Sequence, residues 1–183
     1  MIMIGDASGK GVPAVIFTII TQNYIKLLIK NELDPAKVLF NINNQICENN
    51  PEMMFITLFL AIYNKKTHKL TYANAGHNPP IIKNKTGYEL LDIDSEIVMG
   101  VMDGYEYTNH EVVVDDEFII YTDGITDAQN SKNELYGEER LLNCINSNIN
   151  EDVIDALVRD IDEFSKNEEQ FDDMTILALK IKQ

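Results

Sequence analysis

The sequence predicts an α+β fold in which helices are segregated from a run of antiparallel strands. Three observations lead to this class. Apolar residues recur at helical spacing in two segments near the start of the chain and in two more near its end. Short apolar or alternating segments, separated by turn residues, fill the middle of the chain. Several of these are apolar on both strand faces, which predicts two sheets packed together with helices outside.

The first part of the chain predicts a short strand and two helices. Residues 1–4 are typical of the end of a buried strand, and residues 5–11 predict a turn. Pro13 suits the first turn of a helix. The apolar residues of that helix repeat with a helical period, namely Ile16, Phe17, Ile20, Tyr24, Leu27 and Leu28. A second helix begins at Asp34-Pro35, and its apolar stripe consists of Val38, Leu39, Ile42 and Ile46.

The rest of the chain predicts strands followed by two helices and a final strand. Residues 54–63 are almost continuously apolar, which is typical of a strand buried on both faces. Residues 64–67 predict a turn, and the alternation in residues 69–73 predicts the partner of a hairpin. The remaining strands are predicted at residues 80–83, 88–91, 110–114, 117–122 and 174–181. The helices are predicted at residues 138–145 and 152–164.

Composition narrows the classes of function. A length of 183 residues suits one domain spanning residues 1–183. The formal net charge of −15 argues against non-specific binding of nucleic acid, which needs clustered Lys and Arg. No apolar run reaches the roughly 18 residues of a membrane span, so no membrane association is predicted. The two cysteines, Cys47 and Cys144, lie in apolar helical segments, which predicts buried thiols and a cytoplasmic protein.

Three aspartates share one local context and are candidates for a cation site. Asp6 follows an apolar strand, Asp123 follows another, and Asp172 lies just before the last strand. Strand ends are rigid platforms that face loops, where function concentrates. If the three strands are neighbours, their carboxylates converge, and a set of oxygen ligands favours Mg²⁺ or Mn²⁺. Each acid also fits an ordinary turn, so spacing alone leaves both interpretations open.

Two other motifs invite functional interpretations. The glycine-rich stretch before the first helix has only three residues between Gly5 and Gly9-Lys10, whereas a nucleotide-binding P-loop needs four. Ser8 has no recognisable base partner, so no nucleophilic triad is predicted. His77 lies in an unusual string of small and polar residues, where it could act as a general acid or fix the turn between two strands. The structural role is favoured for His77.

Taken together, the motifs resemble one known family. Residues 5–11 resemble the Gly-Asp-x-Ser-Gly-Lys-Gly signature of the PPM-type protein phosphatases, in the bacterial branch that includes stage II sporulation protein E and the stress-response phosphatases. Four further stretches look like the same branch and come in the family's order, at residues 71–80, 121–128, 136–141 and 172–175. The resemblance extends over nearly the whole chain.

This resemblance implies a four-layer α-β-β-α sandwich with a site for two Mn²⁺ or Mg²⁺ ions. Asp6 would bridge both ions, the carbonyl of Ala7 would complete one shell, and Asp123 and Asp172 would bind the other ion. Supporting residues would be Gly76, His77, Asn78, Gly124 and Asp173. A metal-bound water would attack phosphoserine or phosphothreonine in line. The implied partner is a phosphorylated anti-sigma-factor antagonist or a similar small regulatory protein.

One departure from the family pattern concerns the start of the chain. Family members usually carry a Gly-Gly-Asp-type motif upstream of the position of Gly5, and only four residues precede Gly5 here. We therefore expect one or two strands of the sandwich to be missing, a difference that bears on metal affinity, activity and the stability of a monomer. An uncovered strand edge pairs readily with another chain, which predicts a homodimer. The alternative function is a phosphatase-like interaction module that binds its partner without turning it over.

Overall fold

The computed structural model describes residues 1–30, 32–48, 50, 52–166, 168–170 and 172–181. Within these ranges it contains four helices and eight strands. The helices are α1 (Val12–Leu28), α2 (Pro35–Glu48), α3 (Gly137–Ser147) and α4 (Val153–Phe164). The strands are β1 (Ile2–Ala7), β2 (Ile56–Asn64), β3 (Lys69–Ala75), β4 (Ile81–Asn84), β5 (Gly87–Leu90), β6 (His110–Val113), β7 (Glu117–Tyr121) and β8 (Ile176–Lys180).

The chain divides into two compact units, and each is built from two separate stretches of sequence. Unit 1 comprises residues 1–77 and 93–113, and unit 2 comprises residues 78–92 and 114–183. Among the described residues, unit 1 holds a four-stranded antiparallel sheet in the order β1-β2-β3-β6 together with α1 and α2. Unit 2 holds a second antiparallel sheet in the order β5-β4-β7-β8 together with α3 and α4.

Strand β1 is longer than the sequence predicts. Residues 5–7, predicted as part of a turn, pair with β2 in continuous register, with Gly5 opposite Leu58, Asp6 opposite Thr57 and Ala7 opposite Ile56. Gly and Asp are poor strand formers, but pairing with a buried neighbouring strand outweighs that weak preference. Asp6 therefore lies inside a paired strand, one residue before its end, and not in a loop beyond it.

Helix α1 packs through only part of the predicted stripe: Phe17 is buried, and Tyr24 and Leu28 are half-buried against the same cluster. Its buried residues are Phe17, Thr21 and Ile25, at a spacing of four residues. Of the predicted stripe, Ile16, Ile20 and Leu27 are exposed. The helix is apolar on almost all sides, so periodicity indicates only in part which side packs against the protein. In α2 the prediction is confirmed, because Val38, Leu39, Ile42 and Ile46 are all buried.

The core of unit 2 forms where α3 and α4 cover their sheet. Leu141 and Ile145 of α3 and Val153, Leu157 and Ile161 of α4 are buried in one cluster with residues of β4 and β7. Val158 of the same helix is exposed and lies outside this cluster. Strand β7 is buried at all five positions, which agrees with the apolar run that follows its first residue, Glu117.

The predicted fold class is confirmed by two antiparallel sheets and four helices among the described residues. The stacking of the layers and the single domain of residues 1–183 stay predictions. Both cysteines are free, with Cys144 buried and Cys47 half-buried. Within the described part of the chain, every helix is too short or too polar to cross a bilayer.

Candidate metal-binding strand ends

The candidate site in unit 1 is the end of strand β1. The Asp6 amide donates to the Thr57 hydroxyl across the β1–β2 pair at 3.3 Å, and the same hydroxyl lies 3.4 Å from the Asp6 carbonyl oxygen. Gly5 permits this close pairing, because a Cβ there would lie 2.6 Å from the Thr57 carbonyl oxygen. The backbone of Asp6 is therefore held from both its amide and its carbonyl side.

The paired segment ends at Ser8, just after the predicted ligand Ala7. The Ser8 amide donates to the Phe55 carbonyl at 2.8 Å, and the Phe55 amide donates to the Ser8 hydroxyl, also at 2.8 Å. The Ser8 hydroxyl thus takes the place that a strand carbonyl normally fills as acceptor. This contact gives the Ser8 hydroxyl a structural role at the end of the strand.

His77 is joined to the same strand end through Thr57. The His77 Nδ1 atom lies 2.9 Å from the Thr57 hydroxyl, and the His77 side chain is buried. The Asn74 side chain accepts from the His77 amide at 3.1 Å and donates to the His77 carbonyl at 3.0 Å. Gly76 between them has φ 67°, the left-handed region that glycine adopts without strain. These contacts match the predicted role of His77 in fixing a turn.

The candidate site in unit 2 begins where β7 ends. The Thr122 carbonyl accepts from the Ile125 amide at 3.1 Å, which closes a turn around Asp123 and Gly124. The Asp123 carbonyl accepts from the Asp127 amide at 2.7 Å and from the Thr126 hydroxyl at 3.0 Å. One carboxylate oxygen of Asp123, Oδ1, is buried and has no hydrogen-bond partner among the described residues.

The segment before β8 lies against this turn. The Thr122 hydroxyl donates to the Asp173 carbonyl at 3.1 Å and accepts from the Thr175 amide at 2.9 Å. Gly124 permits the approach, because a Cβ there would collide with the backbone carbonyl of Asp173. The turn and the segment bring a carboxylate oxygen of Asp123 and one of Asp172 within 4.8 Å of each other. Two predicted ligands thus meet at adjacent strand ends.

A further acid lies close enough to this pair to feel its charge. Although the Asp127 side chain is exposed, the pKa of its carboxyl is raised by partial desolvation and, to a smaller extent, by the negative charges of Asp123 and Asp172. Asp127 was not among the predicted site residues. Its position four residues after Asp123, on the same side of a tight turn, is the signal that indicates its proximity.

The remaining predicted residues occupy peripheral positions. Asp173 is exposed and contributes its backbone carbonyl to the contact with Thr122. Asn78 is half-buried in the loop before β4. Within unit 2 the structure therefore brings together Asp123, Asp172 and the backbone of Asp173, while Asp6, Ala7, Gly76 and His77 belong to unit 1.

The sequence matches one protein family over almost its full length. The matching family is described as stage II sporulation protein E (SpoIIE), and the match covers residues 1–182. Phosphoserine phosphatase RsbU of Bacillus subtilis is 30% identical over 131 residues, which is 70% of this chain and 39% of RsbU. Protein IcfG of Synechocystis sp. is 30% identical over 142 residues, which is 75% of this chain and 22% of IcfG. The chain thus spans well under half the length of these curated relatives.

Solved structures share the fold. The SiaA-PP2C domain of Pseudomonas aeruginosa has a TM-score of 0.84 at 20% identity, covering 98% of this chain and 75% of that one. RsbX, solved in complex with magnesium, has a TM-score of 0.65 at 13% identity, covering 96% of this chain and 78% of RsbX. At these identities the likeness concerns the fold alone, and it extends over both units of the chain.

Proposed function

Because this chain belongs to the stage II sporulation protein E (SpoIIE) family, we propose that it is a metal-dependent phosphatase that hydrolyses phosphoserine or phosphothreonine in a regulatory protein. The observation that carries the proposal is the pair of carboxylates at the ends of β7 and β8. Asp123 and Asp172 offer oxygens within 4.8 Å of each other, and the buried Oδ1 of Asp123 lacks a hydrogen-bond partner among the described residues. A buried carboxylate oxygen without a partner is costly unless a cation binds it.

The donor set fits hard divalent cations. Asp123 and Asp172 supply carboxylate oxygens, and their negative charges are close enough to the Asp127 carboxyl to raise its pKa, an effect that a bound cation would oppose. Sets made only of oxygen suit Mg²⁺ and Mn²⁺ better than softer metals. We propose that Asp6 and the Ala7 carbonyl complete a site for two such ions together with this pair. RsbX, a structural relative solved with magnesium, supports this choice of metal.

The proposed chemistry divides between the cations and the chain. When bound, the cations acidify water into a nucleophile and offset the negative charge on the phosphate oxygens. The chain holds the carboxylates that bind them, because both Asp6 and Asp123 have backbones fixed by hydrogen bonds. Rigid placement of the ligands lowers the cost of organising the site when substrate binds.

We propose a phosphorylated anti-sigma-factor antagonist, or a similar small phosphoprotein, as the substrate. RsbU, which is 30% identical over 131 residues, carries the name phosphoserine phosphatase, and this supports the phosphoserine class. A homodimer, formed through the β1 edge of its sheet, and a location in the cytoplasm remain predictions; light scattering that gives the mass of a monomer at high concentration would refute the dimer.

The central experiment measures phosphate release from a phosphoserine protein with and without Mn²⁺. We expect activity that EDTA abolishes and that Asp123→Asn reduces by at least about 100-fold, because a ligand loses its charge. The matched control is Asp162→Asn, an exposed position on α4, which should keep wild-type activity. Equal activity in Asp123→Asn would refute the ligand assignment. Mn²⁺ binding without turnover of any phosphoprotein would instead favour the interaction module.

A further inference from the structure

Thr122 occupies the last position at which β7 and β8 are still paired. Its amide donates to the Thr175 carbonyl at 3.0 Å, one step beyond the pair formed by Tyr121 and Ile176. In an ordinary antiparallel pair, the Thr175 amide would donate back to the Thr122 carbonyl. Here it donates to the Thr122 hydroxyl instead, at 2.9 Å.

The Thr122 carbonyl has a different partner. It accepts from the Ile125 amide at 3.1 Å and so closes the turn that contains Asp123. If this carbonyl accepted from the Thr175 amide, as in regular strand pairing, it would point toward β8 and away from the Ile125 amide, and the turn would lose that hydrogen bond. The hydroxyl therefore lets one residue serve the strand pair and the turn at once.

The same hydroxyl also reaches the segment that carries the second aspartate. It donates to the Asp173 carbonyl at 3.1 Å, next to Asp172. Thr122 is only 4% exposed, so water competes little for these bonds. Through one side chain, the turn of Asp123 and the segment of Asp172 are joined to each other.

We propose that Thr122 is a positioning residue that sets the separation of the Asp123 and Asp172 carboxylates, an inference that rests on the proposed function of the site. Two carboxylates at this separation repel each other unless a cation lies between them. Their separation within 4.8 Å therefore needs a constraint in the metal-free protein, and the Thr122 hydroxyl supplies it. A site held ready in this way binds its ions more tightly than one that must first close.

The test compares Thr122→Val, which keeps the shape but removes the hydroxyl, with Thr122→Ser, which keeps the hydroxyl. Calorimetric titration with Mn²⁺ should show affinity weakened by about 10-fold or more in Thr122→Val, the usual cost of losing a group that orients a metal ligand. Thr122→Ser should retain wild-type affinity. Thr21→Val is the matched control, because Thr21 is also buried and its hydroxyl bonds only within α1.

A second readout needs no metal. Hydrogen exchange of the Thr175 amide in the metal-free protein should accelerate in Thr122→Val and stay slow in Thr122→Ser, because that amide donates to the hydroxyl. Unchanged Mn²⁺ affinity in Thr122→Val would overturn the proposal, and so would equal weakening in both variants. If wild-type protein binds no Mn²⁺, the proposed function itself fails, an outcome distinct from equal binding by wild type and Thr122→Val.

Discussion

The two units end their paired strands in the same way but attach the aspartate at different points. In unit 1 the Ser8 hydroxyl accepts from the Phe55 amide, and in unit 2 the Thr122 hydroxyl accepts from the Thr175 amide. Asp6 lies two residues before Ser8, inside the paired strand, whereas Asp123 lies one residue after Thr122, in the turn.

This difference changes what holds each carboxylate in place. The position of Asp6 depends on the pairing of β1 with β2, which extends over six residue pairs. The position of Asp123 depends on a few local bonds that involve Thr122, Thr126 and Asp127. Damage to a single contact should therefore disturb metal binding more in unit 2, while damage to unit 1 should appear first as lost stability.

The largest expected effects come from the two glycines beside the aspartates. Gly124→Ala places a Cβ against the Asp173 carbonyl, so we expect Mn²⁺ affinity to fall by about 100-fold as the turn and segment separate. Gly5→Ala places one against the Thr57 carbonyl and should cost about 1–3 kcal/mol in the free energy of unfolding. Calorimetry and urea denaturation measure the two quantities.

Gly104→Ala serves as the control for both glycine variants, since an added Cβ there has no atom within 4 Å. Gly104 itself adopts φ 72°, so any loss of stability in Gly104→Ala measures the backbone strain of alanine at a positive φ, without a collision. If Gly5→Ala weakened Mn²⁺ binding more than Gly124→Ala did, this would contradict the claim that metal binding is more sensitive to single contacts in unit 2 than in unit 1.

The second prediction concerns the two roles considered for His77. Asn can reproduce a hydrogen bond at the position of Nδ1, so His77→Asn should reduce phosphate release by less than about 10-fold. A general acid would lose about 10²–10⁴-fold. Steady-state assays with saturating Mn²⁺ distinguish the two, and His68→Asn controls for the loss of an imidazole because Asn tolerates the left-handed φ of 56° there.

A smaller effect is expected at the end of β1. Ser8→Ala removes the acceptor of the Phe55 amide and should lower the free energy of unfolding by about 0.5–1.5 kcal/mol. Mn²⁺ affinity should change less than in Thr122→Val, because Ser8 is half-buried and water can replace its hydroxyl. Ser131→Ala, at an exposed turn position, provides the baseline. If Ser8→Ala lost as much Mn²⁺ affinity as Thr122→Val, the hydroxyls at the two strand ends would be equally important for metal binding, which contradicts this prediction.

The smallest effect on Mn²⁺ affinity is expected for a substitution in unit 2 that lies away from the strand ends, Asp160→Asn. Hydrogen bonds from Arg140 to the Asp160 carboxylate, at 3.0 and 3.1 Å, hold the pKa of Asp160 below its usual value against the opposing effect of burial. The stabilisation is therefore present at neutral pH and is lost as pH falls through the lowered pKa. Asp160→Asn should cost about 1 kcal/mol at pH 7, because the pair is partly exposed, and less below pH ~4.

Mn²⁺ affinity at pH 7 should be unchanged in Asp160→Asn, and thermal unfolding across pH measures the stability. A weakened affinity would show that the site responds to the general stability of unit 2 and not to the local bonds at its strand ends. The exposed Asp162→Asn again provides the comparison, since it lies on the same helix and removes one carboxylate charge.

Much of the fold could be predicted because burial imposes periodicity. The stripe of α2 and the hairpin of β2 and β3 follow directly from apolar spacing. The packing face of α1 could be predicted only in part, since a helix that is apolar on most sides carries a weak directional signal. The extension of β1 through Asp6 depends on its partner strand, which local propensity does not report.

The acidic residues of the candidate site could be proposed from the sequence, but the hydroxyl groups that contact their strand ends could not. Asp123 and Asp172 stood out because each flanks a strongly apolar strand. Thr122 and Thr57 carried no such signal, because threonine is common in strands and its hydrogen-bond partner is set by which strands become neighbours. Only the coordinates show that Thr122 accepts from one residue of the partner segment and donates to another.

The interleaving of the two units has a consequence for synthesis on the ribosome. Unit 1 needs residues up to 113, so it becomes complete only after the β4–β5 hairpin of unit 2 has already emerged. That hairpin must wait for β7, its neighbour in the sheet, which starts at Glu117. A pair of strands that lacks the rest of its sheet is only marginally stable in water. The nascent chain therefore carries an unfinished hairpin while its first unit folds, and this interval is when the protein is most exposed to mispairing and chaperone binding.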